Sequence, residues 1–234
     1  MDLRNKVALI TGGTAGIGRA TAQSLKAAGA RVAITGRDER RLAETASALG
    51  VLPIHADVSK EDDVQRTYRE LMEHFGDLDI LVNNAGIGFF KSLADFDTAS
   101  FEAVFATNVT GAMMMAREAT KIFISKKSGN IVNVASTAAL RGAPNGTAYY
   151  ASKFALRGMT ECWRAELRKY NIRVFLLNPS EVLTSFAATA GIPQKENDTK
   201  LRSEDLGYVV RVMLELDSRG FIPELSVFAT NPID

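Results

Sequence analysis

One cysteine, Cys162, and two histidines, His55 and His74, are all that the 234-residue chain holds of those types. A single thiol closes no intrachain disulfide and builds no Cys-rich zinc site, and two histidines are too few for a His-based metal centre, so the expectation is no metal and a reducing compartment. Long apolar runs are missing too. Val7–Ile10 is too short for the core of a secretory leader, and no stretch is long enough to span a bilayer. Charge of one sign is absent: 28 Lys and Arg stand against 27 Asp and Glu, a net charge of +1. Such a surface has no general attraction for a phosphate backbone, which argues against nucleic-acid partners. The expectation is a soluble cytoplasmic chain with neither membrane nor nucleic acid as partner.

Fixed-period repeats, low-complexity segments and Pro/Gly/Ser-rich linkers are likewise lacking. What is present is an alternation of short β-rich runs with longer helical stretches. The strands are expected at Lys6–Thr11, Arg31–Thr35, Leu52–Ala56, Asp79–Val82, Asn130–Ala135, Ile172–Asn178 and Ile222–Phe228. Most are continuous aliphatic runs, as in strands covered on both faces. Helices are expected near 17–28, 38–49, 60–75, 100–126, 148–169 and 203–216, with Ser59 as an N-cap and Gly29 and Gly50 at left-handed C-termini. The pattern predicts an α/β fold, a doubly wound parallel sheet in one domain over residues 1–234. Residues 183–200 lack clear structure and read as a lid.

Between the first strand and first helix lies Thr11-Gly12-Gly13-Thr14-Ala15-Gly16-Ile17-Gly18. Glycines there permit positive φ and close backbone approach, and the helix N-terminus offers unpaired N–H groups to a phosphate. In a βαβ unit this is the dinucleotide position, although the spacing Gly12, Gly16, Gly18 departs from the common G-x-G-x-x-G, and a tight turn with a packing contact is the plain alternative. The end of the second strand selects between cofactors: an acid holds a ribose 2′-OH and an arginine accommodates a 2′-phosphate. Gly36-Arg37 stands there, so Arg37 points to NADP(H) over NAD(H). Asp38, two residues after Gly36, reads as the cap of the next helix.

Tyr149 and Lys153 lie four apart in an expected helix and share one face. An ammonium beside a phenol favours the tyrosinate, so Lys153 is expected to lower the Tyr149 pKa and ready it for proton transfer to a carbonyl oxygen. Ser136, at the end of the fifth strand, offers a hydroxyl to orient that carbonyl. Together with Thr11–Gly18, Asp57-Val58, Asn83-Asn84-Ala85-Gly86 and Asn108-Val109-Thr110-Gly111, in this order and spacing, these residues make the chain resemble the short-chain dehydrogenase/reductase family over residues 6 to about 184. The resemblance, similar in layout to NADP-dependent carbonyl and 3-oxoacyl-thioester reductases, implies a Rossmann-type sheet of seven strands, a nicotinamide cofactor and hydride transfer at a carbonyl or alcohol carbon. It further implies Tyr149 as acid and base, Lys153 on the nicotinamide ribose, Ser136 on the substrate oxygen and Asn108 holding a relay water. Gly12, Thr14, Ile17 and Gly18 would surround the pyrophosphate, with Gly16 in the same loop. Asp57 and Val58 would meet the adenine, Asn84 and Ala85 its ribose, and Val182 the carboxamide. A homodimer or homotetramer joined through helices 100–126 and 148–169 is implied as well.

Plainer readings stand beside these. Tyr150, three residues from Lys153, reads as packing. Ala151, Ala155, Met159 and Cys162 form an apolar stripe for the core or a subunit interface, with Cys162 as a small buried hydrophobe. Phe89, Phe90 and Phe96 suggest an apolar or aromatic carbonyl substrate, or equally a loop anchored to the core. Two departures from the family pattern stand out. Asn178-Pro179-Ser180-Glu181-Val182 replaces the usual Pro-Gly, and the chain ends without the glycine-rich strand and tail of many relatives. Two other functions fit the same fold: a non-catalytic dinucleotide sensor, and an epimerase or dehydratase that consumes substrate without net change in NADPH.

Overall fold

The computed structural model describes residues 1–186, 190–191 and 199–230. Seven parallel strands form the main sheet: β1 (Val7–Ile10), β2 (Arg31–Gly36), β3 (Leu52–His55), β4 (Ile80–Asn83), β5 (Gly129–Val134), β6 (Ile172–Pro179) and, last in the chain, β9 (Glu224–Val227). Their order is β3-β2-β1-β4-β5-β6-β9, so the winding reverses between β1 and β4. A parallel two-stranded ladder of β7 (Val182–Leu183) and β8 (Leu201–Arg202) closes the stem of the predicted lid. Of that lid, residues 187–189 and 192–198 lie outside the described residues, as do 231–234 of the chain end.

Helices cover both faces, and strand alternation decides which residues meet them. Ala8 and Ile10 of β1 face one layer, packed with α1 (Gly16–Ala27), α2 (Glu39–Leu49) and α7 (Ser203–Glu215). Val7 and Leu9 face the other, against α3 (Glu61–Phe75) and α5 (Ala112–Lys126). Both layers are thus tied to single-residue register in one buried strand. This is the doubly wound parallel sheet expected from the alternation of elements, with the seven strands that the family resemblance implies.

Two of the three helix ends expected from the sequence near α2 and α3 form as expected, and one does not. Asp38 caps α2 by accepting from Arg41 N at 2.9 Å, and Gly29 and Gly50 take φ of +89° and +63° after their helices. Ser59 does not cap α3. Its N–H and hydroxyl both donate to Asp57 Oδ1, at 3.0 and 2.8 Å, and the helix begins after Lys60 with Glu61, Asp62 and Asp63 in its first turn. The helix expected at 100–126 is also interrupted. α4 (Thr98–Phe105) passes through a π-helical turn, Ala106–Gly111, before α5. A Cβ on Gly111 would stand 2.9 Å from both the carbonyl oxygen and Cγ2 of Val58, so the turn is pressed against the segment between β3 and α3. α6 (Thr147–Leu167) is a single helix of 21 residues, with Lys153 buried on its sheet side.

Candidate active site

The carboxyl ends of the strands and the segments after them border a solvent-open cleft. It sits where the winding reverses, the position at which open α/β sheets bind ligands. Gly12, Gly16, Ile17, Asn84, Ala85, Ser136, Tyr149, Lys153 and Val182 line it. Thr14, Gly18, Arg37, Asp57, Val58 and Asn108, named from the sequence with them, stand outside that lining.

Backbone-to-side-chain hydrogen bonds shape the cleft floor. The Thr11 hydroxyl accepts from Asn84 N and Ala85 N, each at 3.0 Å. The Asn84 amide donates back to the carbonyls of Thr11 and Gly12, at 2.9 and 3.1 Å. That exchange requires room. A Cβ on Gly18 would meet Asn84 Nδ2 and Gly12 O at 2.4 Å, and one on Gly12 would meet Ala85 Cα at 3.0 Å. Gly12 also holds φ of +63°. Gly13 brings the loop against β2, where a Cβ would stand 2.5 Å from Ile34 Cγ2. The loop thereby presents the start of α1 to the cleft. Ala15 at its N-cap provides no side-chain acceptor and its first turn carries no acid, so N–H donors and the positive helix end are left for an anion. This glycine cradle and open helix end suit a dinucleotide diphosphate.

The Asp57 carboxylate is held by Ser59, and Asp57 N donates to Asp63 Oδ2 at 2.8 Å. Val58 is buried and borders a narrow crevice, too tight for a water, that also touches Thr11 and Ala85. Thr14 packs its methyl on Gly36, where a Cβ would stand 2.5 Å away. Arg37 is exposed, and its carbonyl pairs with His55 Nε2 at 3.0 Å. The neighbouring Asp38 carboxylate is turned onto α2 by its capping bond.

At the other end of the cleft, Ser136 follows β5. Its hydroxyl accepts from Ala138 N at 3.1 Å and donates to Pro179 O at 3.4 Å. Lys153 Nζ donates to Val134 O at 3.1 Å and lies 5.6 Å from the Tyr149 ring centre. The Tyr149 pKa moves opposite to the sequence expectation. Burial pushes the phenol up to about 12, against a smaller downward pull from the Ser136 hydroxyl. Lys153 does not reverse this, because its ammonium is bonded to a main-chain carbonyl and not to the phenol oxygen. Burial brings Lys153 itself down to about 8. Asn108, in the π turn, fixes the loop after β4: its Oδ1 accepts from Ile87 N at 2.8 Å, and its Nδ2 donates to Ile87 O at 2.9 Å and Ser152 Oγ at 3.0 Å.

Aromatic rings gather at Tyr149. Phe90 and Phe186 each lie 5.4 Å from it, centre to centre, and Tyr150 meets it edge-on at 6.1 Å. Tyr150 is the packing residue expected, its ring lying over Gly146. Phe89 and Phe96 pair with each other at 5.5 Å. Glu181 points outward and pairs with Lys200 at 2.5 Å. Cys162 is exposed, against the expectation of burial, because its position on α6 faces away from the sheet.

Several site residues escaped the sequence reading. Thr184 and Ser185 line the cleft beside the glycine loop, with Thr184 Cγ2 3.3 Å from where a Cβ on Gly16 would lie. The signal was present: Thr184 is two residues after Val182. The roles of Gly13 and Asp63 are packing and hydrogen-bonding effects that no spacing rule reports.

Comparison with known proteins agrees with this geometry. The model of a family described as short chain dehydrogenase matches residues 6–195. A (+)-borneol dehydrogenase 2 of Salvia officinalis is 37% identical over 211 residues, covering 88% of this chain and 72% of its own. The structure of a 3-ketoacyl-(acyl-carrier-protein) reductase from Brucella melitensis complexed with NADH superposes with a TM-score of 0.92 at 32% identity, over 97% of this chain and 98% of that one. That of an alcohol dehydrogenase from Thermococcus sibiricus complexed with 5-hydroxy-NADP gives 0.87 at 28%, over 99% and 100%.

Proposed function

The chain belongs to the short-chain dehydrogenase family and is an oxidoreductase of carbonyl and alcohol substrates; from that premise we propose an NADP(H)-dependent carbonyl reductase in which Tyr149 transfers the proton. The observation that carries this is the convergence of Ser136, Tyr149 and Lys153 in the same cleft as the uncapped start of α1. The bound nicotinamide supplies or takes the hydride. The chain does the rest. The glycine loop and α1 hold the diphosphate, Ser136 orients the substrate oxygen, and Tyr149, kept neutral by burial, donates a proton to it. Lys153, able to lose a proton near pH 8, restores the proton to the phenol. Asn108 holds the loop that borders Lys153.

The cofactor preference rests on Arg37 and Asp38. The two solved relatives hold NADH and 5-hydroxy-NADP respectively, so the choice in this chain falls to its own residues. An exposed guanidinium at the end of β2 is placed for a 2′-phosphate, and the adjacent carboxylate is already used as a helix cap. Ketones and 3-oxoacyl thioesters are the substrate classes to compare. The reading includes a cytoplasmic homodimer or homotetramer joined through α4, α5 and α6, where Ala151, Ala155 and Met159 keep partly exposed apolar surface. Among the described residues no helix is long and apolar enough to cross a membrane.

The test is NADPH absorbance followed against a panel of ketones, aldehydes and acyl thioesters. Consumption of NADPH equal to alcohol formed is expected, and Tyr149→Phe should lose about 10²-fold or more in kcat while still binding NADPH. Binding of NADPH without turnover on any carbonyl, or near-normal activity of Tyr149→Phe, overturns the reading. For the cofactor, kcat/KM should favour NADPH over NADH, and Arg37→Ala should shrink that ratio about tenfold or more. An NADH preference in the unmutated chain refutes it.

A further inference from the structure

We propose that Phe90 and Phe186, seated on Gly88, form an aromatic wall beside Tyr149 that selects substrates whose carbonyl is borne on a compact apolar ring. The inference rests on the carbonyl-reductase reading above and names the substrate class of the same site.

Two distant segments build the wall. Phe90 follows β4 and Phe186 follows the β7 stem, yet each ring lies 5.4 Å from the Tyr149 ring at a tilt of 46°. Their meeting point is Gly88. A Cβ there would stand 2.7 Å from Phe186 Cζ and 2.8 Å from Phe90 Cε2. The Gly88 backbone is not in the left-handed region, so the glycine is required by the rings and not by the turn. Both phenylalanines remain partly exposed, and Phe186 lines the cleft. Apolar surface held open at a site of proton transfer is covered when an apolar group docks on it, and ring-on-ring contact adds to that gain.

Charge points the same way. Among the described residues lining the cleft, only Tyr149 and Lys153 carry ionisable side chains. Both are committed to the proton. Lys91 is exposed and lies over the Phe89 ring at 5.1 Å, and Glu181 is paired with Lys200 at the outer rim. No described lining cation is left for a carboxylate next to the reacting carbonyl, and an unpaired anion is disfavoured in such surroundings. The fitting substrate is an alicyclic or aryl ketone, or the matching secondary alcohol.

The test measures kcat/KM with NADPH on cyclohexanone, acetophenone, butanone, pyruvate and an acetoacetyl thioester, for the unmutated chain and for Phe186→Ala, Phe90→Ala and Phe186→Leu. The ring ketones should exceed butanone at least tenfold, and exceed pyruvate and the thioester by more. Each alanine variant should lower the cyclohexanone-to-butanone ratio at least fivefold, and Phe186→Leu should lower it less. NADPH binding by fluorescence titration checks that each variant is folded. A ratio that stays constant while overall activity falls assigns the rings a purely structural role and overturns the proposal, as does a preference for pyruvate or the thioester. Absence of turnover on every carbonyl by an NADPH-binding chain is a different result: it overturns the reductase reading itself, and the wall with it.

Discussion

Each end of the sheet encloses a lysine, and the two lysines respond in opposite directions. At the amino ends, Lys126 Nζ reaches Asp77 at 2.7 Å and Asp79 at 3.0 Å, and Lys6 joins Asp79 at 3.2 Å. Burial pulls the Lys126 pKa down, but the two carboxylates outweigh it and the pKa ends raised. Asp79 is likewise pushed up by burial and brought below its ordinary value by bonds from Val7 N and Lys126. At the carboxyl ends, Lys153 has a main-chain carbonyl and, among the described residues, no carboxylate, and burial brings it down to about 8. The difference is one of completion. The first cluster is closed and serves the fold. The second is left with an unbalanced charge, so that its groups can exchange protons near neutral pH.

Exchanging each lysine for methionine breaks the comparison most sharply. Lys153→Met should cut kcat about 10²-fold or more. It also removes a buried cation without a counter-charge, so Tm at pH 7 should rise, by about 2–4 °C for each ~1 kcal/mol regained in a chain of this size. Lys126→Met should do the reverse. It strands two carboxylates, and a loss of about 2 kcal/mol is expected, below the figure for fully buried pairs because these side chains are partly exposed. Tm should fall by about 4–8 °C, while kcat/KM stays within about twofold of the unmutated chain, since the cluster lies at the end of the sheet away from the cleft. Scanning calorimetry and NADPH kinetics on the two variants check both halves. Equal losses of activity would show that the two ends are not separable.

These two regions were not equally legible in the sequence. The seven strands could be read because apolar runs such as Val7–Ile10 and Val174–Leu177 are buried on both faces, which leaves a local signature. Ser136, Tyr149 and Lys153 were legible through their spacing, since a strand end and one helix face bring them to the same place. What that spacing does not contain is hydration. A lysine four residues from a tyrosine suggested an acidified phenol, whereas the enclosing Phe90 and Phe186 rings contribute to the burial that raises it. The same blindness covers Cys162, whose apolar helical stripe turned out to face outward, and Ser59, whose hydroxyl closed on Asp57 instead of capping α3. The Asp79 cluster is not legible for a related reason: Lys6, the Asp77/Asp79 pair and Lys126 are far apart in the chain and meet only once β1, β4 and α5 are assembled.

The smaller and more discriminating measurement is the pH dependence of these effects. Lys153 has its folded pKa depressed to about 8 from 10.5, so the folded chain releases that proton first. Its burial therefore opposes folding fully below about pH 8, and that opposition fades as pH rises towards 10.5. The Tm advantage of Lys153→Met should be largest at pH 6–7 and nearly gone by about pH 10. Asp79, with its folded pKa lowered, behaves oppositely. Its stabilising contribution is complete above its ordinary carboxylate range and is lost as pH falls through the folded value, so the Tm deficit of Asp79→Asn should be full at pH 7 and shrink in acid. Catalysis should follow only the first of these titrations. With Tyr149 protonated up to about pH 12, kcat/KM for carbonyl reduction should be level below pH 8 and decline above it as Lys153 loses its charge. Asp79→Asn should leave that profile in place. A profile that moves with Asp79, or a Lys153→Met advantage that does not change with pH, would remove the electrostatic difference between the two ends of the sheet.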